Sequence, residues 1–552
     1  MPHKRTALVL ALCLVLTLIW QAWEKDYGRL RAAAPPAAPQ EAPSRTDHIP
    51  APAAAERPVE AGAPEVPAPA GGAASTDAAG ISIETDTVSA AVSLRGGELS
   101  RLLLKDFPVA VDKPDEPLAF LDNSDALTFV VQGGLLSEKE APTHQEVYTA
   151  SERSYRLADG AETLEVPLIW QSPSGLQVTK TYVFHRGSHV IDLRYDIANT
   201  GAAAWQGRAY AQLLRRAEKP KRGLMSMPTY MGAAISSPEK RYEKLPFDEM
   251  AATPLDRSIS GGWAAMLQHY FVAAIVPPAQ EPYQYYTKVL DQNRYIVGLY
   301  GPQHQVEPGA SLTLTSTLYA GPKDQDRLEQ FAPGLDLTVD YGALWFLSKP
   351  LFWWMQKLHG WTGNWGWAII LLTLTVKAAL YRLAAASYRS MAHMKQVQPR
   401  LVALRERYSN DKQRLNQAMM ELYKQEKINP LGGCLPVLIQ IPVFLALYWV
   451  LLESVELRQA PFIGWIKDLS TYDPYFVLPI LMGISMFVQT RMNPAPPDPV
   501  QARVMQILPV VFTVFFIFFP AGLVLYWLVN NVLSIAQQWL ITRSIEGAKA
   551  KT

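Results

Sequence analysis

Apolar and polar residues alternate along this chain in two different ways. From about residue 81 to residue 321 the runs are short and have a period of two, as in residues 178–184 and 190–194, which flank Arg186 and Gly187. Such a pair of runs predicts a β-hairpin. Residues 312–318 alternate in the same way, and turn residues separate many similar runs. The pattern predicts one large antiparallel β-sandwich, and the lack of a short-period repeat disfavours a propeller or solenoid.

Beyond residue 360 the pattern changes to long apolar segments. These are residues 365–383, 435–452, 476–488, 507–519 and 523–540. An earlier apolar run, residues 7–20, follows the basic residues Lys4 and Arg5. We therefore predict a polytopic α-helical membrane protein with six transmembrane helices and a large periplasmic antiparallel β-sandwich domain. Segments 476–488 and 507–519 are shorter than the roughly 20 helical residues that span about 30 Å of hydrocarbon, which predicts local thinning of the bilayer.

The amino-terminal run is typical of an export signal or of a retained anchor. Bulky and charged residues follow it up to Ala32, which favours the anchor. Ala, Pro, Glu and Gly then dominate up to about Gly80, a composition that cannot form a packed core. The predicted parts of the chain are an anchor (1–31), a Pro/Ala-rich linker (32–80), the β domain (81–322), a linker with an amphipathic helix (323–362), a five-helix core (363–545) and a tail (546–552).

Aromatic residues crowd the segment between the β domain and the core. Trp345 and Trp353 flank Pro350, which is predicted to interrupt a helix within residues 341–360. Dense aromatics beside a membrane segment favour an amphipathic helix in the headgroup layer. The alternative is a helix buried beneath the sandwich.

Basic residues set the predicted orientation. They concentrate between the second and third spans, at Arg389, Lys395, Arg400, Arg405, Arg407, Lys412, Arg414, Lys424 and Lys427. Since cytoplasmic loops of membrane proteins carry excess Lys and Arg, this loop is predicted to be cytoplasmic. Six spans then place both termini in the cytoplasm and the β domain in the periplasm of an inner-membrane protein.

The same loop contains a helical pattern with a break at residues 409–411, which predicts an antiparallel helical hairpin over residues 388–429. Its methionines, Met391, Met394, Met419 and Met420, are suited either to a soft client-binding surface or to packing in the hairpin seam. Its basic residues, including Arg400, Arg405 and Arg407, suit anionic lipid or ribosomal RNA, although topology alone also explains them.

Lys377 is the most anomalous residue of the predicted spans, because it lies inside segment 365–383. A cation at a helix centre costs about 2.5–3.5 kcal/mol on insertion scales, so it should face water, a partner or a cavity. The alternative is that its side chain reaches the headgroups near Arg382.

Other polar residues are predicted to line a wet groove with Lys377, or else to join helices by hydrogen bonds. They include Thr373, Thr375, Gln440, Asn530, Asn531 and Ser534. No carboxylate lies deep in a predicted span to pair with Lys377, which disfavours a proton relay and leaves the lysine able to attract an acidic client segment.

The remaining composition excludes several functions. A net charge of +1 gives no general attraction to nucleic acid, so no DNA partner is predicted. The two cysteines have no ligand spacing for zinc, and no phosphate loop or nucleophile motif occurs. We predict no catalytic residues, no metal, no cofactor and no enzymatic activity.

Four blocks in this order resemble the bacterial YidC membrane-protein insertases in their Gram-negative form. They are residues 363–367 (GNWGW), 429–436 (NPLGGCLP), 454–462 (SVELRQAPF) and 520–527 (PAGLVLYW). The resemblance covers essentially the whole chain.

This resemblance implies a six-span insertase and chaperone whose core encloses a hydrophilic groove open to cytoplasm and lipid, with an apolar slide on the third and fifth helices. It implies that Thr373, Tyr526 and Trp527 contact substrates and that Lys377 stands where the family has a groove Arg. Implied partners are nascent membrane-protein clients, membrane lipids and the Sec translocon, with the ribosome as a further candidate. The β domain resembles the family's β-supersandwich, a fold related to sugar-binding proteins.

Two other classes of function remain open from the residues alone. A secondary transporter would show repeated halves and interrupted helices around an ion site, and neither is evident. A membrane-tethered periplasmic carbohydrate-active protein would need paired carboxylates in the β domain, and spacing along the sequence does not pair them.

Overall fold

The computed structural model describes residues 80–124, 127–217, 229–290, 293–408, 411–426, 435–493 and 499–549. All of them belong to one compact unit, His48–Thr552. The predicted anchor (1–31), nearly all of the predicted linker (32–80) and the last residues of the predicted tail (546–552) lie outside the described residues.

The first half of the described chain consists of strands. These are β1 (Ile81–Glu84), β2 (Val88–Val92), β3 (Leu99–Ala110), β4 (Lys113–Asp122), β5 (Phe129–Leu136), β6 (Ser154–Arg156), β7 (Thr163–Gln171), β8 (Leu176–His185), β9 (Val190–Asn199), β10 (Trp205–Arg216), β11 (Gly232–Ile235), β12 (Glu243–Leu245), β13 (Asp256–Ser260), β14 (Ala264–Leu267), β15 (Phe271–Val276), β16 (Pro282–Leu290), β17 (Arg294–Tyr300), β18 (His304–Val306) and β19 (Ser311–Pro322). One short helix, α1 (Phe247–Ala252), interrupts them.

The strands form two sheets. An 11-stranded sheet has the order β13-β16-β17-β10-β5-β4-β3-β2-β1-β6, with β18 paired to β10, and an 8-stranded sheet has the order β12-β11-β14-β15-β19-β9-β8-β7. The predicted antiparallel pairing is confirmed for the strand pairs of the described residues with one exception, since β6 pairs with β1 in parallel. This exception follows a long excursion between β5 and β6, so the sequence pattern gave no sign of it.

The predicted hairpin around Arg186 and Gly187 is β8 followed by β9. Phe184 pairs with Ile191, and Gly187 has a φ of 63°, a left-handed conformation that suits glycine in a tight turn. Alternate residues of β9 are buried along its whole length. The period of two in the sequence therefore marks the face that enters the core of the β domain.

The second half of the described chain consists of helices. These are α2 (Gln325–Phe331), α3 (Trp345–Thr362), α4 (Trp365–Ala379), α5 (Tyr381–Arg407), α6 (Lys412–Gln425), α7 (Leu435–Glu453), α8 (Val477–Met492), α9 (Pro499–Phe516) and α10 (Ala521–Lys549). Short 3₁₀ turns lie at Leu335–Thr338, Gly342–Leu344 and Val455–Leu457. Helix α10 packs against α4, α5, α7 and α8, while α9 packs chiefly on α8.

The segment predicted as a span over residues 365–383 contains a bend in the structure. Helix α4 ends at Ala379, and the chain bends by 69° before α5 begins at Tyr381. In the described part of the chain this bent pair alone is long and apolar enough for a membrane span, and no unbroken helix is. Three shorter apolar helices accompany it, Gln440–Glu453, Val477–Met492 and Arg503–Phe516.

The helix predicted between the β domain and the core is α3, and it continues through Pro350 instead of breaking there. It packs chiefly on α4 and α7. Its buried face includes Phe352, Met355 and Leu358, whereas Trp353 and Trp361 are exposed. Pro350 has no N–H to donate to the Phe346 carbonyl, so the helix lacks one intrahelical hydrogen bond at this point and still continues to Thr362.

Strand β3 and the turn between β14 and β15 contact the end of α7 and the loop that follows it. The side chains of Arg458 and Gln459 both donate to the Pro108 carbonyl, over 2.7 and 2.9 Å. Nearby, the ring of His269 hydrogen-bonds the Leu452 carbonyl over 2.9 Å. The strands and the helical core are thus joined by specific polar contacts as well as by the connecting chain.

Candidate functional site

Lys377 lies in the last turn of α4, and the start of that helix is fixed by Asn364. The Asn364 side chain accepts from the Trp367 backbone N–H over 3.2 Å and donates to the carbonyls of Pro461 and Phe462. An Asn cap of this kind stabilises the first turn and sets where the helix begins. The Lys377 ammonium, three turns later, reaches α10 and donates to the Ser534 hydroxyl over 2.7 Å.

A line of polar side chains continues from this contact and joins three helices. The Ser534 hydroxyl donates to the Asn530 carbonyl over 2.7 Å, and the Asn530 side chain accepts a hydrogen bond from Gln440 of α7. We call Lys377, Ser534, Asn530 and Gln440 the polar chain. It places a cation, a hydroxyl and two amides next to one another among otherwise apolar helices.

Lys377 is partly buried, and its charge is not neutralised within the described residues. No carboxylate of the described residues acts on this ammonium. An ammonium has three N–H donors, and Ser534 accepts from one of them. Since burying an unpaired charge is costly, the arrangement favours an anionic or carbonyl-rich ligand at this position.

The other polar residues predicted for the groove do not all join the polar chain. Thr373 is 1% exposed and donates to the Ile369 carbonyl of its own helix over 2.7 Å. Thr375 lies two residues, or about 200°, around the helix from Lys377, and it accepts from the Trp354 indole of α3 over 3.3 Å. Asn531 instead donates to the Ser485 hydroxyl over 3.2 Å, which links α10 to α8.

An aromatic cluster lies one turn along α10 from the polar chain. Tyr526 is buried, and its ring stacks on Phe444 of α7 with 6.2 Å between ring centroids. Phe444 also meets the Trp527 ring edge to face at 4.5 Å, and Trp527 contacts Phe516 of α9 at 5.3 Å. These contacts place Trp527 between α7 and α9, and Tyr526 beside α7.

The residues predicted to receive clients on α5 and α6 have several surroundings. Met394 and Met419 pack around Val397, Leu401 and Leu422 in the seam between the helices. Met391 packs instead with Tyr388 against Ile541 of α10, and Met420 is partly buried on α6. Arg400 forms an ion pair with Glu426 at 2.5 Å, Arg405 is partly buried, and Arg407 is exposed.

Sequence reasoning missed three residues that hold the site together. Ser485 is the partner of Asn531, and Tyr388 interacts with the Ser534 hydroxyl. Asn493 accepts a hydrogen bond from Gln538 over 3.1 Å. Ser485 is a polar residue in an apolar segment and was therefore detectable, whereas the bend after Ala379, which precedes Tyr388 along α5, had no sequence signal.

Comparison with known proteins matches both halves of the chain to family models. The family model of the YidC periplasmic domain matches residues 80–354, and that of the 60Kd inner membrane protein matches residues 357–549. A membrane protein insertase YidC from Nitrosococcus oceani is 49% identical over 99% of this chain and 99% of its own length. The chain belongs to the YidC family of membrane protein insertases. A YidC from Alkalilimnicola ehrlichii is 50% identical over 100% of this chain and 97% of its own length.

A solved structure of an active YidC insertase with its first transmembrane domain resolved also matches. It covers 83% of this chain and 91% of its own, with 19% identity and a TM-score of 0.37.

Family membership confirms the predicted insertase function and replaces the transporter and carbohydrate-active alternatives. The protein is a YidC-family insertase of the inner membrane with a β-rich periplasmic domain, and it is an insertion factor and not an enzyme.

Proposed function

We propose that the polar chain holds the hydrophilic part of a client while the client's apolar segment passes into lipid. The Lys377 ammonium carries this proposal, because it faces α10 with a single neutral acceptor, Ser534, and no carboxylate partner among the described residues. An acidic client tail would supply the missing countercharge. The step is reversible binding followed by release, and it needs no covalent chemistry.

The apolar route that we propose runs beside α9. This helix packs chiefly on α8, so much of its surface is uncovered. The exposed apolar side chains on it are Val504, Ile507, Leu508, Val510, Val511, Val514 and Phe515. A hydrophobic client segment would bury these side chains together with its own, while the Tyr526 and Trp527 cluster borders the route toward α7.

In this proposal, short helices lower the free-energy barrier that a polar client segment meets when it crosses the bilayer. Helix α4 has 15 residues and α8 has 16, which correspond to about 22 and 24 Å at 1.5 Å per residue. A hydrocarbon core of about 30 Å would have to thin around them. A polar client segment would then cross a shorter apolar distance before it reached the far side.

The proposed topology has six transmembrane helices, with both termini cytoplasmic and the β domain periplasmic. Its support is the basic residues on α5 and α6, among them Arg389, Lys395 and Arg407, and the short connection from Phe516 to Ala521 that joins α9 to α10. The proposed division keeps residues 81–322 as the β domain and 363–545 as the insertase core.

The proposed route into the groove begins at the hairpin of α5 and α6. Exposed basic residues such as Arg407 offer a surface for the ribosome or for a nascent client, and Met391 lies where α5 meets α10. The Sec translocon is the proposed partner for clients with several spans, as the family resemblance implies.

Site-specific photo-crosslinking tests whether a client occupies the polar chain. A photoreactive residue at Asn530 or Ser534 should crosslink to an acidic-tailed client arrested during insertion. The same residue at Val532, which is 50% exposed and lies about 200° around α10 from Asn530, is the matched control and should crosslink to lipid instead. Client adducts of equal yield at all three positions would contradict a polar client site.

A further inference from the structure

A cleft lies at the carboxyl-terminal end of α10, beyond the polar chain and sharing no residue with it. It has a volume of about 550 Å³ and lies between α5, the end of α8 and α10. Its lining residues are Met391, Ala392, Lys395, Gln396, Met492, Gln538, Trp539, Thr542, Arg543 and Ile545. The cleft combines an apolar wall with two cations.

The two cations give the cleft its electrostatic character. Lys395 and Arg543 are exposed and come from different helices, α5 and α10. The Arg543 guanidinium lies 5.1 Å from the centre of the Trp539 ring, which orients it by a cation–π contact. The lining residues include no carboxylate, so the pair is suited to an anionic group such as a phosphate diester.

Gln538 is a second and independent indication of a ligand. It is 3% exposed, and its amide nitrogen donates to the Asn493 side chain over 3.1 Å. Its Oε1 atom is buried in the lining and has no hydrogen-bond partner within the described residues. Buried amide oxygens are normally hydrogen-bonded, so a ligand with an O–H or N–H donor would satisfy this acceptor.

The apolar wall distinguishes a lipid from a free anion. Met391, Met492 and Ile545 line the cleft, and Trp539 is 50% exposed beside them. A tryptophan next to basic residues at the end of an apolar helix is typical of the headgroup layer of a bilayer. Free phosphate would use the cations and leave this wall uncovered.

We propose that this cleft binds the headgroup of an anionic glycerophospholipid with a hydroxylated headgroup, such as phosphatidylglycerol. In this arrangement the phosphate lies between Lys395 and Arg543, and a hydroxyl of the headgroup donates to Gln538 Oε1. The part of the acyl chains nearest the headgroup covers Met492 and Ile545. Bound lipid would thereby tie α5, the start of the cytoplasmic hairpin, to α8 and α10.

Native mass spectrometry of the purified full-length protein in detergent tests the proposal, with dioleoyl phosphatidylglycerol as the probe and dioleoyl phosphatidylcholine as the comparison. Wild type should retain phosphatidylglycerol in preference to phosphatidylcholine. Lys395→Gln combined with Arg543→Gln should weaken phosphatidylglycerol retention by about a hundredfold, since two charge-assisted contacts are lost. Gln538→Leu should weaken it by less, because it removes one neutral hydrogen bond to the lipid, together with the bond that Gln538 donates to Asn493.

The matched control removes two other charges, with Arg389→Gln and Lys424→Gln, both exposed and outside the lining. This control should retain the lipid like wild type. Equal losses in the control and in the cleft variant would overturn the proposal, as would unchanged retention in the cleft variant. Displacement of the lipid by millimolar inorganic phosphate, or by a soluble acidic client peptide, would also overturn it, because the cleft would then be an anion or client site.

Discussion

Lysine and arginine make different contacts, and the surroundings of Lys377 suit lysine. An arginine fork binds a carboxylate through two parallel hydrogen bonds, whereas an ammonium is a compact charge with donors in three directions. Ser534 offers one oxygen, and that oxygen lies 2.7 Å from the Lys377 nitrogen. The lysine therefore keeps the positive charge that a family arginine would supply while needing only a single acceptor at rest.

His269 is a titratable residue at the junction between the β domain and the helical core. Burial and, to a smaller extent, the nearby Lys323 ammonium lower its pKa to about 4, although its hydrogen bond to Leu452 acts in the opposite direction. The neutral ring is therefore favoured in the folded protein. Because the folded pKa is below the unfolded value of about 6.5, stability should fall as the pH falls from about 6.5 toward 4.

Replacing His269 with Gln keeps a hydrogen-bond donor and removes the titration. Between pH 6.5 and pH 4 the variant should lose less thermal stability than wild type. The two losses should differ by no more than about 3 kcal/mol in free energy of unfolding, which corresponds to the full shift of the His269 pKa from about 6.5 to about 4. The melting temperature measured across this pH range checks it. His189, whose pKa is also lowered by burial, is present in both proteins, so its contribution to the pH dependence cancels when the two are compared. Parallel pH profiles would contradict the assignment.

The residues of the site could be predicted from the sequence better than their pairing. Lys377, Gln440, Asn530 and Ser534 stand out as polar residues in apolar segments. Their order in the polar chain depends on how α4, α7 and α10 rotate and cross, which side-chain packing decides and a single sequence does not encode locally. For the same reason Thr375, predicted for the groove, lies against α3.

At the scale of elements, period and length predicted strands and helices well where the pattern was regular. Strands β8 and β9 follow from alternation, and their turn follows from Arg186 and Gly187. The bend after Ala379 and the continuation of α3 through Pro350 were not predictable, because tertiary contacts override the local tendency at both places.

The contact of α8 with α9 depends on a single small residue. A Cβ added at Gly483 would overlap the Thr513 hydroxyl and lie 3.1 Å from the Thr513 Cβ. Thr513 itself donates to the Pro509 carbonyl over 2.7 Å, so it is not free to turn away without losing that bond. Close approach through small residues is a common way for membrane helices to pack.

Gly483→Ala should destabilise the core by about 1–3 kcal/mol through overpacking. Adding Thr513→Ala should recover part of this loss, with a coupling of roughly 0.5–3 kcal/mol between the two sites. The free energy of unfolding in mixed micelles is measured for wild type, the two single variants and the double variant. Gly360→Ala in α3, where an added Cβ meets nothing within 4 Å, is the control and should not destabilise. Additive effects of the two changes would contradict the close contact.

At the scale of the whole molecule, the β domain and the core meet at the loop after α7, which carries Arg458 and Gln459. Lys323, just after β19, is buried near Glu453 at the end of α7. Burial lowers the pKa of Lys323 to about 8, and attraction to Glu453 opposes that shift. The β domain therefore contacts the end of the same helix whose Gln440 belongs to the polar chain.

The most direct test of the account is insertion of an acidic-tailed client into phosphatidylglycerol-containing vesicles that carry wild type, Lys377→Ala or Lys377→Arg. We expect Lys377→Arg to keep most of the activity and Lys377→Ala to lose about tenfold, the scale of one charge-assisted contact. A client with a neutral tail should be inserted equally by all three proteins, provided that they fold and accumulate equally. Equal insertion of the acidic-tailed client by wild type and Lys377→Ala would contradict the electrostatic role of the polar chain.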